Sequence, residues 1–187
     1  MQDTIDLIPI GAYHGKGARA GVFGAYLLAS YNKQRRVFEA ACKVGTGFSK
    51  DQLDLLTEAA MLEKIDTLPS VYDLPKDARL KPDVWLLPNM VWEVSADSLT
   101  KSPTYKLAQE QVEAKFGQNQ GLSLRFPRFI RRRDDKELKN KLMNWEMKVD
   151  PEKALADKIK GEYGSDSAEI FRMFVADLEH RQQKISE

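Results

Sequence analysis

The chain has 187 residues, of which 42% are hydrophobic and 30% charged, and its formal net charge is +1; this is the composition of a globular protein with a core of its own. A lone cysteine, Cys42, excludes an internal disulfide and any multi-cysteine metal centre. Near-neutrality excludes a general polyanion binder, so any contact with nucleic acid has to be local.

No apolar run is long enough to cross a bilayer. The opening MQDTIDL carries acid where a signal peptide carries base, which predicts an intracellular protein. Thr4–Tyr13 predicts a strand, with Ile5, Leu7 and the Ile8/Ile10 pair on its apolar side. His14–Gly21, HGKGARAG, is a turn in which Gly15, Gly17 and Gly21 permit positive φ and close backbone approach. Lys16 and Arg19 ride on it. They either contact phosphate or merely keep a hairpin soluble; the GxxxxGK[ST] spacing of a P-loop is absent. Val22–Tyr31 is nearly apolar throughout, which predicts a strand buried on both sides or strongly curved, with a bulge or bend at Gly24. Asn32–Arg36 is a polar turn and Val37–Val44 a third strand. Cys42 reads as a small core residue, because the only histidines, His14 and His180, give no nucleophile pattern.

Gly45–Phe48, GTGF, is another tight turn. Ser49 followed by Gln52 forms a capping box, opening a helix whose apolar face runs through Leu53, Leu56, Ala60 and Met61/Leu62 to about Ile65. A helix between the third and fourth strands is typical of an OB-fold. Pro69, Pro75, Pro82 and Pro88 make Thr67–Pro88 a wrapped loop, anchored by Trp85. Val91–Ser95 is a short strand, and Ser102–Gln120 is polar with a helical stretch at Lys106–Phe116.

In Gly121–Lys136, GLSLRFPRFIRRRDDK, Leu122, Leu124 and Phe126 alternate with Ser123 and Arg125 as in a half-buried strand. Pro127 has no N–H to donate, so it belongs at an edge or bulge where side chains are re-aimed. Arg125, Arg128, Arg131, Arg132, Arg133 and Lys136 against Asp134 and Asp135 give this stretch a local charge of +4, while the rest of the chain sums to −3. Guanidinium forks suit phosphate oxygens; the alternative is a solvated, self-neutralising charge run. Beyond Lys136, Leu138, Leu142, Trp145 and Val149 form one helical stripe, and Asp150–Pro151 starts a second helix to about Lys160. Gly161–Ser165 breaks it, and Asp166 with Glu169 caps a third helix bearing Ile170, Phe171, Phe174, Val175 and Leu178. These helices either pad the barrel or offer a docking face. The expected fold is mainly β: an OB-fold barrel at 1–136 with an inter-strand helix, and a helical C-terminal extension at 137–187 packing on or beside it.

The phrases IGAYHGKGARAGVFGAYLLASY (Ile10–Tyr31), CKVGTGF (Cys42–Phe48), VWEV (Val91–Val94), SP (Ser102–Pro103) and LRFPRFIRRRDDK (Leu124–Lys136) go further. In this order they resemble the C-terminal OB-fold domain of ATP-dependent DNA ligases, above all the replicative ligase I type of eukaryotes and its archaeal relatives. The resemblance spans Thr4–Lys136, and its last segment looks like that family's final nucleotidyltransferase motif. It implies a share in a three-step reaction: a lysine of a separate nucleotidyltransferase domain takes AMP from ATP, passes it to the 5′-phosphate of a nick, and the 3′-hydroxyl displaces it. By this likeness Arg131, Arg133, Asp135 and Lys136 handle the ATP phosphates with the metal, and fixed cations face the leaving pyrophosphate. Arg125 and Phe126 match the family's minor-groove pair, with Arg128 beside them, and Lys16 and Arg19 match its DNA-contacting turn. The resemblance further implies ATP and magnesium, both bound mainly by the nucleotidyltransferase domain. It implies as partners nicked duplex DNA, the nucleotidyltransferase and DNA-binding domains of the same ligase, and a sliding clamp reached through the full enzyme. It also implies a place in replication, repair and recombination, in a nucleus or in archaeal cytoplasm.

The KxDG motif of the adenylylated lysine is absent. Lys64-Ile65-Asp66-Thr67 mimics it without the glycine, at the end of a predicted helix, so this chain by itself is expected not to ligate. The resemblance offers no counterpart for residues 137–165, and Asp166–Gln182 resembles the family's closing helix. The alternative of another class is a stand-alone OB-fold protein that binds single strands by stacking, with Phe126, Phe129 and Tyr13 as the platform. A capping-enzyme or RNA-ligase module fits the GKGARAG and CKVGTGF phrases less well.

Overall fold

The structure, a computed structural model, describes residues 4–117, 119–136 and 166–186. Three long strands, β1 (Thr4–His14), β2 (Phe23–Asn32) and β3 (Val37–Val44), form an antiparallel meander. β1 serves three ladders, the third a short one at Gly11 and Ala12. Thr4–Leu7 pairs with β7 (Trp92–Ser95), whereas Ile8–His14 pairs with β2. The register shifts between Pro9 and Gly11, where the proline's missing N–H suits a bulge and the strand turns from one ladder to the other.

The remaining strands are short: β4 (Lys64–Ile65), β5 (Tyr72–Asp73), β6 (Val84–Leu86), β8 (Ser98–Ser102), β9 (Gly121–Arg125) and β10 (Arg128–Arg132). The main sheet runs β10-β7-β1-β2-β3-β5, with β6 bridging β1 and β4, and β8-β9 is a separate hairpin. The ladder does not close into a continuous barrel. Between β3 and the β9/β10 strands the seam is held by isolated bonds. Ser123 Oγ donates to Ala41 O at 3.0 Å, Phe129 N to Thr46 O at 3.0 Å, and Thr46 Oγ1 to Pro127 O at 3.0 Å. The cause is local. Phe126 takes a left-handed φ of 49° and Pro127 has no donor, so one strand becomes two.

The main core centres on Trp92, whose indole packs edge-on to Tyr26 (4.6 Å between ring centres) and Phe129 (5.0 Å); Phe48 stacks on Phe129 at 4.8 Å. Helix α1 (Lys50–Leu62) adds Leu53, Leu56 and Ala60. Both halves of its capping box are present: Gln52 N donates to Ser49 Oγ (3.1 Å) and Ser49 N to Gln52 Oε1 (2.8 Å). A second cluster lies on the other side of the meander, where Leu27, Tyr31, Phe38, Tyr72 and Trp85 meet. β2 is therefore buried on both sides, as its apolar run predicts. Cys42 is buried in the main core.

Several sequence expectations shift. The first helix ends at Leu62 rather than near Ile65, and Lys64 and Ile65 pair with Leu86 and Trp85. The wrapped 67–88 loop contains two paired strands, β5 and β6. β8 precedes the polar 102–120 stretch, in a segment to which the sequence reading assigned no element, and its pattern SLTKS offers a single large apolar residue; the helix expected at Lys106–Phe116 is α2 (Gln109–Phe116). The one strand expected before the arginine run is two, β9 and β10, and residues 131–133 lie at the end of the second. The predicted helices at 138–149 and 150–160 lie outside the described residues. Helix α3 (Ser167–Ser186) sends Ile170 and Phe174 into the main core, and Phe174 meets Phe116 edge-on at 6.3 Å. No described helix is long and apolar enough to cross a membrane.

Candidate nucleic-acid and phosphate interface

The glycine turn, the GTGF turn and the Phe126–Pro127 break meet along one rim. Arg19 Nη1 donates to Gly24 O (3.0 Å) and Gly45 O (2.7 Å), tying the first turn to the second. The second turn is tied to the break through the two bonds of Thr46, and Gly47 lies against Arg128 and Phe129. Gly47 has a φ of +94°, and a Cβ there would come within 3.0 Å of the Phe129 carbonyl and Arg128 Cγ. Lys16 and Arg128 are exposed at the two ends of this chain of contacts. Arg19, read as a DNA contact, spends part of its guanidinium as a structural pin. Arg125 is exposed, and its guanidinium lies 5.1 Å from the ring centre of Phe126. Phe126 is 73% exposed. A large ring held out by a positive-φ backbone is the arrangement of a wedge rather than of a core residue. Phe129 and Tyr13, the other members of the stacking platform, are buried, Phe129 against Phe48 and Trp92, and Tyr13 with its hydroxyl donating to Leu80 O. The row of exposed rings that stacking on single strands needs is not formed by these residues.

Past the rim, the outer face of β1-β7-β10 carries a charged network. Asp6, Glu93 and Arg131 stand opposite one another across three strands. Arg131 Nε donates to Glu93 Oε2 at 2.7 Å. Arg132 pairs with Asp134 at 3.1 Å. Arg133 donates from Nε and Nη2 to the two oxygens of Asp135, both at 2.9 Å, and from Nη1 to the two oxygens of Asp6 at 3.2 and 3.1 Å. Its backbone N–H extends the strand by donating to Val91 O at 2.7 Å. The Arg133 hydrogen bond holds the Asp135 carboxyl down at about 2, and the Asp135 bond in turn pushes the guanidinium pKa up. A hydrogen bond from Thr4, then one from Arg131, holds the Glu93 carboxyl below its usual range. Lys136 closes the 3-10 turn Asp134–Lys136.

The structure thus gathers Arg131, Arg133 and Asp135 in one network, and Arg125, Phe126, Arg128, Arg19 and Lys16 along the neighbouring rim. It adds Asp6, Glu93, Thr46 and Gly47, to which the sequence reading assigned no role, although the last three lie within the phrases VWEV and CKVGTGF. The signal available for the first two was a lone carboxylate inside an apolar strand, as in TIDLI and VWEV. Among the described residues no group of three or more His, Cys, Asp or Glu could hold a metal ion. On this face the guanidinium groups are each paired with carboxylate, Arg131 with Glu93, Arg132 with Asp134, and Arg133 with Asp6 and Asp135. Lys64 sits on β4, past the end of α1.

Residues 19–136 match the family model described as the ATP dependent DNA ligase C terminal region. The chain is 44% identical over 136 residues to DNA ligase 1 of Dictyostelium discoideum, covering 73% of this chain and 11% of that protein. With DNA ligase 1 of Schizosaccharomyces pombe it shares 38% over 172 residues, 90% of this chain and 22% of that one. With the DNA ligase of Sulfophobococcus zilligii it shares 43% over 139 residues, 73% of this chain and 21% of that one. The chain therefore spans between about a tenth and a fifth of the length of these curated relatives. The crystallised ligase domain of LigD from M. tuberculosis shares the fold, with a TM-score of 0.54 at 24% identity over 72% of this chain and 36% of that chain. On the family match and these identities, the chain belongs to the ATP-dependent DNA ligases and carries their C-terminal region.

Proposed function

We propose that this chain acts as the OB-fold module of a DNA ligase, with two working surfaces. The Arg131/Arg133 face meets the β- and γ-phosphates of ATP while a nucleotidyltransferase domain takes up AMP. The fixed guanidinium groups stabilise the charge that develops on the departing pyrophosphate. ATP and magnesium are held chiefly by that other domain. The rim of Lys16, Arg19, Arg125, Phe126 and Arg128 then grips nicked duplex DNA, with cations on the backbone and the Phe126 ring against the minor groove. The observation that carries this reading is the division at Phe126–Pro127. One short segment places an exposed aromatic wedge on one side of a break and a guanidinium network on the other.

The test is labelled-ATP adenylylation of a ligase nucleotidyltransferase domain, with and without this chain added in trans. The expected result is stimulated labelling of the partner with no label on this chain. Arg131→Ala and Arg133→Ala should each remove most of the stimulation. Stimulation that survives both substitutions would refute the phosphate role; label on this chain would mean that it carries a nucleophile of its own.

A further inference from the structure

Arg133 presents two edges, and they are held differently. Nε and Nη2 form the parallel fork that matches a carboxylate or a phosphate, and Asp135 fills it. Nη1 points the other way, into Asp6. The two carboxylates are unlike in their setting. Asp6 stands inside β1, is only 9% exposed, and is locked in register opposite Glu93. The Asp135 side chain is 59% exposed and belongs to a single 3-10 turn after the last strand. One partner is built into the sheet. The other is tethered by a short turn over the edge that a phosphate would need.

We infer that Asp6 is a positioning residue that holds the Arg133 guanidinium from behind, and that Asp135 is a placeholder on the phosphate-binding edge. The placeholder keeps the fork aimed in the absence of nucleotide and yields its place to the pyrophosphate portion of ATP. No bond is made or broken; one bidentate anion replaces another on the same two N–H groups. The inference rests on the reading that Arg133 meets ATP phosphates, and it assigns Asp6 and Asp135 opposite effects on that contact.

The experiment is a titration of the 15N-labelled chain with sodium pyrophosphate, following the Nε–Hε signal of Arg133 and, in every variant, the backbone amide signals of β10 and of the Asp134–Lys136 turn. The wild-type signal should shift saturably, and Arg133→Ala should abolish saturable binding. Asp6→Asn should weaken binding about tenfold, the loss of one charged hydrogen-bond arrangement, and Asp6→Glu should recover most of it. Asp135→Asn should tighten binding several-fold, because the competitor has lost its charge; this variant leaves the sheet untouched and reads the placeholder even if Asp6→Asn is poorly folded. In the Arg133→Ala background Asp6→Asn should lower the melting temperature no further, whereas a merely structural Asp6 would lower it equally with or without Arg133. Unchanged binding in Asp6→Asn, or weaker binding in Asp135→Asn, with Arg133→Ala still inactive, would overturn the inference alone. Unchanged binding in Arg133→Ala, or no shift in the wild type, would overturn the phosphate reading with it.

Discussion

Phe126 combines two features that stability by itself does not favour: a left-handed backbone, φ 49°, and a ring 73% exposed. A residue with a Cβ in this region costs roughly 1–2 kcal/mol relative to glycine. Its compensation inside the domain is slight, the Arg125 guanidinium at 5.1 Å being a solvent-exposed contact. Strain of this kind persists where function holds it. Phe126→Gly should therefore be more stable than Phe126→Ala by about 1 kcal/mol in urea unfolding, while both lose affinity for nicked duplex DNA. Equal stabilities would show that the backbone carries no strain; full DNA binding by either variant would remove the ring from the interface.

Among the elements, the GTGF turn does most to hold the rim together, since it receives Arg19 on one side and Phe129 and Pro127 on the other. Its two glycines are not equivalent. A Cβ at Gly45 would find only ordinary contacts with Ala25 and Gly24, whereas one at Gly47 meets the backbone of Phe129 at positive φ. Gly47→Ala should cost at least about 1–2 kcal/mol, and Gly45→Ala should be neutral to slightly stabilising, as read from paired denaturation midpoints. If the two cost the same, the seam does not depend on this close approach. What could be read in advance follows from range. The meander, α1 and its cap are written in local alternation and capping residues, and the ligase phrases mark the right ends of the right strands. β6 is hidden among prolines, and β8 in a polar stretch. β10 is hidden because its arginines draw their partners from 38 and 127 residues away, at Glu93 and Asp6, where no local pattern reaches.

Across the whole molecule, one buried carboxylate joins pieces that are distant in sequence. Glu39 of β3 is fully buried. It accepts from Asn32 Nδ2 (2.8 Å), Arg35 Nη1 (3.1 Å) and the backbone N–H of Ala108 (2.8 Å), and the Ser167 hydroxyl at the start of α3 bears on it too. Ala108 precedes α2 with a φ of 52° and no cap from its own side chain, so Glu39 caps that helix from another strand. Burial raises its carboxyl above the ordinary 4.5, against the pull of Asn32, Ala108, Ser167 and Arg35. An acid whose pKa is raised on folding binds more protons in the native state than in the unfolded state across that interval, so its contribution to stability falls as pH rises from about 4.5 through the raised value. Glu39→Gln should flatten that part of the stability–pH profile, measured by urea unfolding in half-unit pH steps; an unchanged slope would assign it to another group. Asp135 acts in the opposite sense and lower down. Its stabilising contribution is present above 3.8 and lost as pH falls to about 2, so the two do not overlap.

The open seam has a further consequence, for association between molecules. A barrel that does not close leaves strand edges, and an exposed edge can template pairing with another copy. A net charge of +1 provides little general repulsion against this. The edge is blunted locally instead. β10 is only five residues long, its register is broken between Phe129 and Arg131, and Pro127 before it offers no N–H. The free donor of Phe129 is taken by Thr46. The same proline and short, charged strand that separate the two proposed surfaces thereby also keep an unfinished barrel from growing into its neighbours.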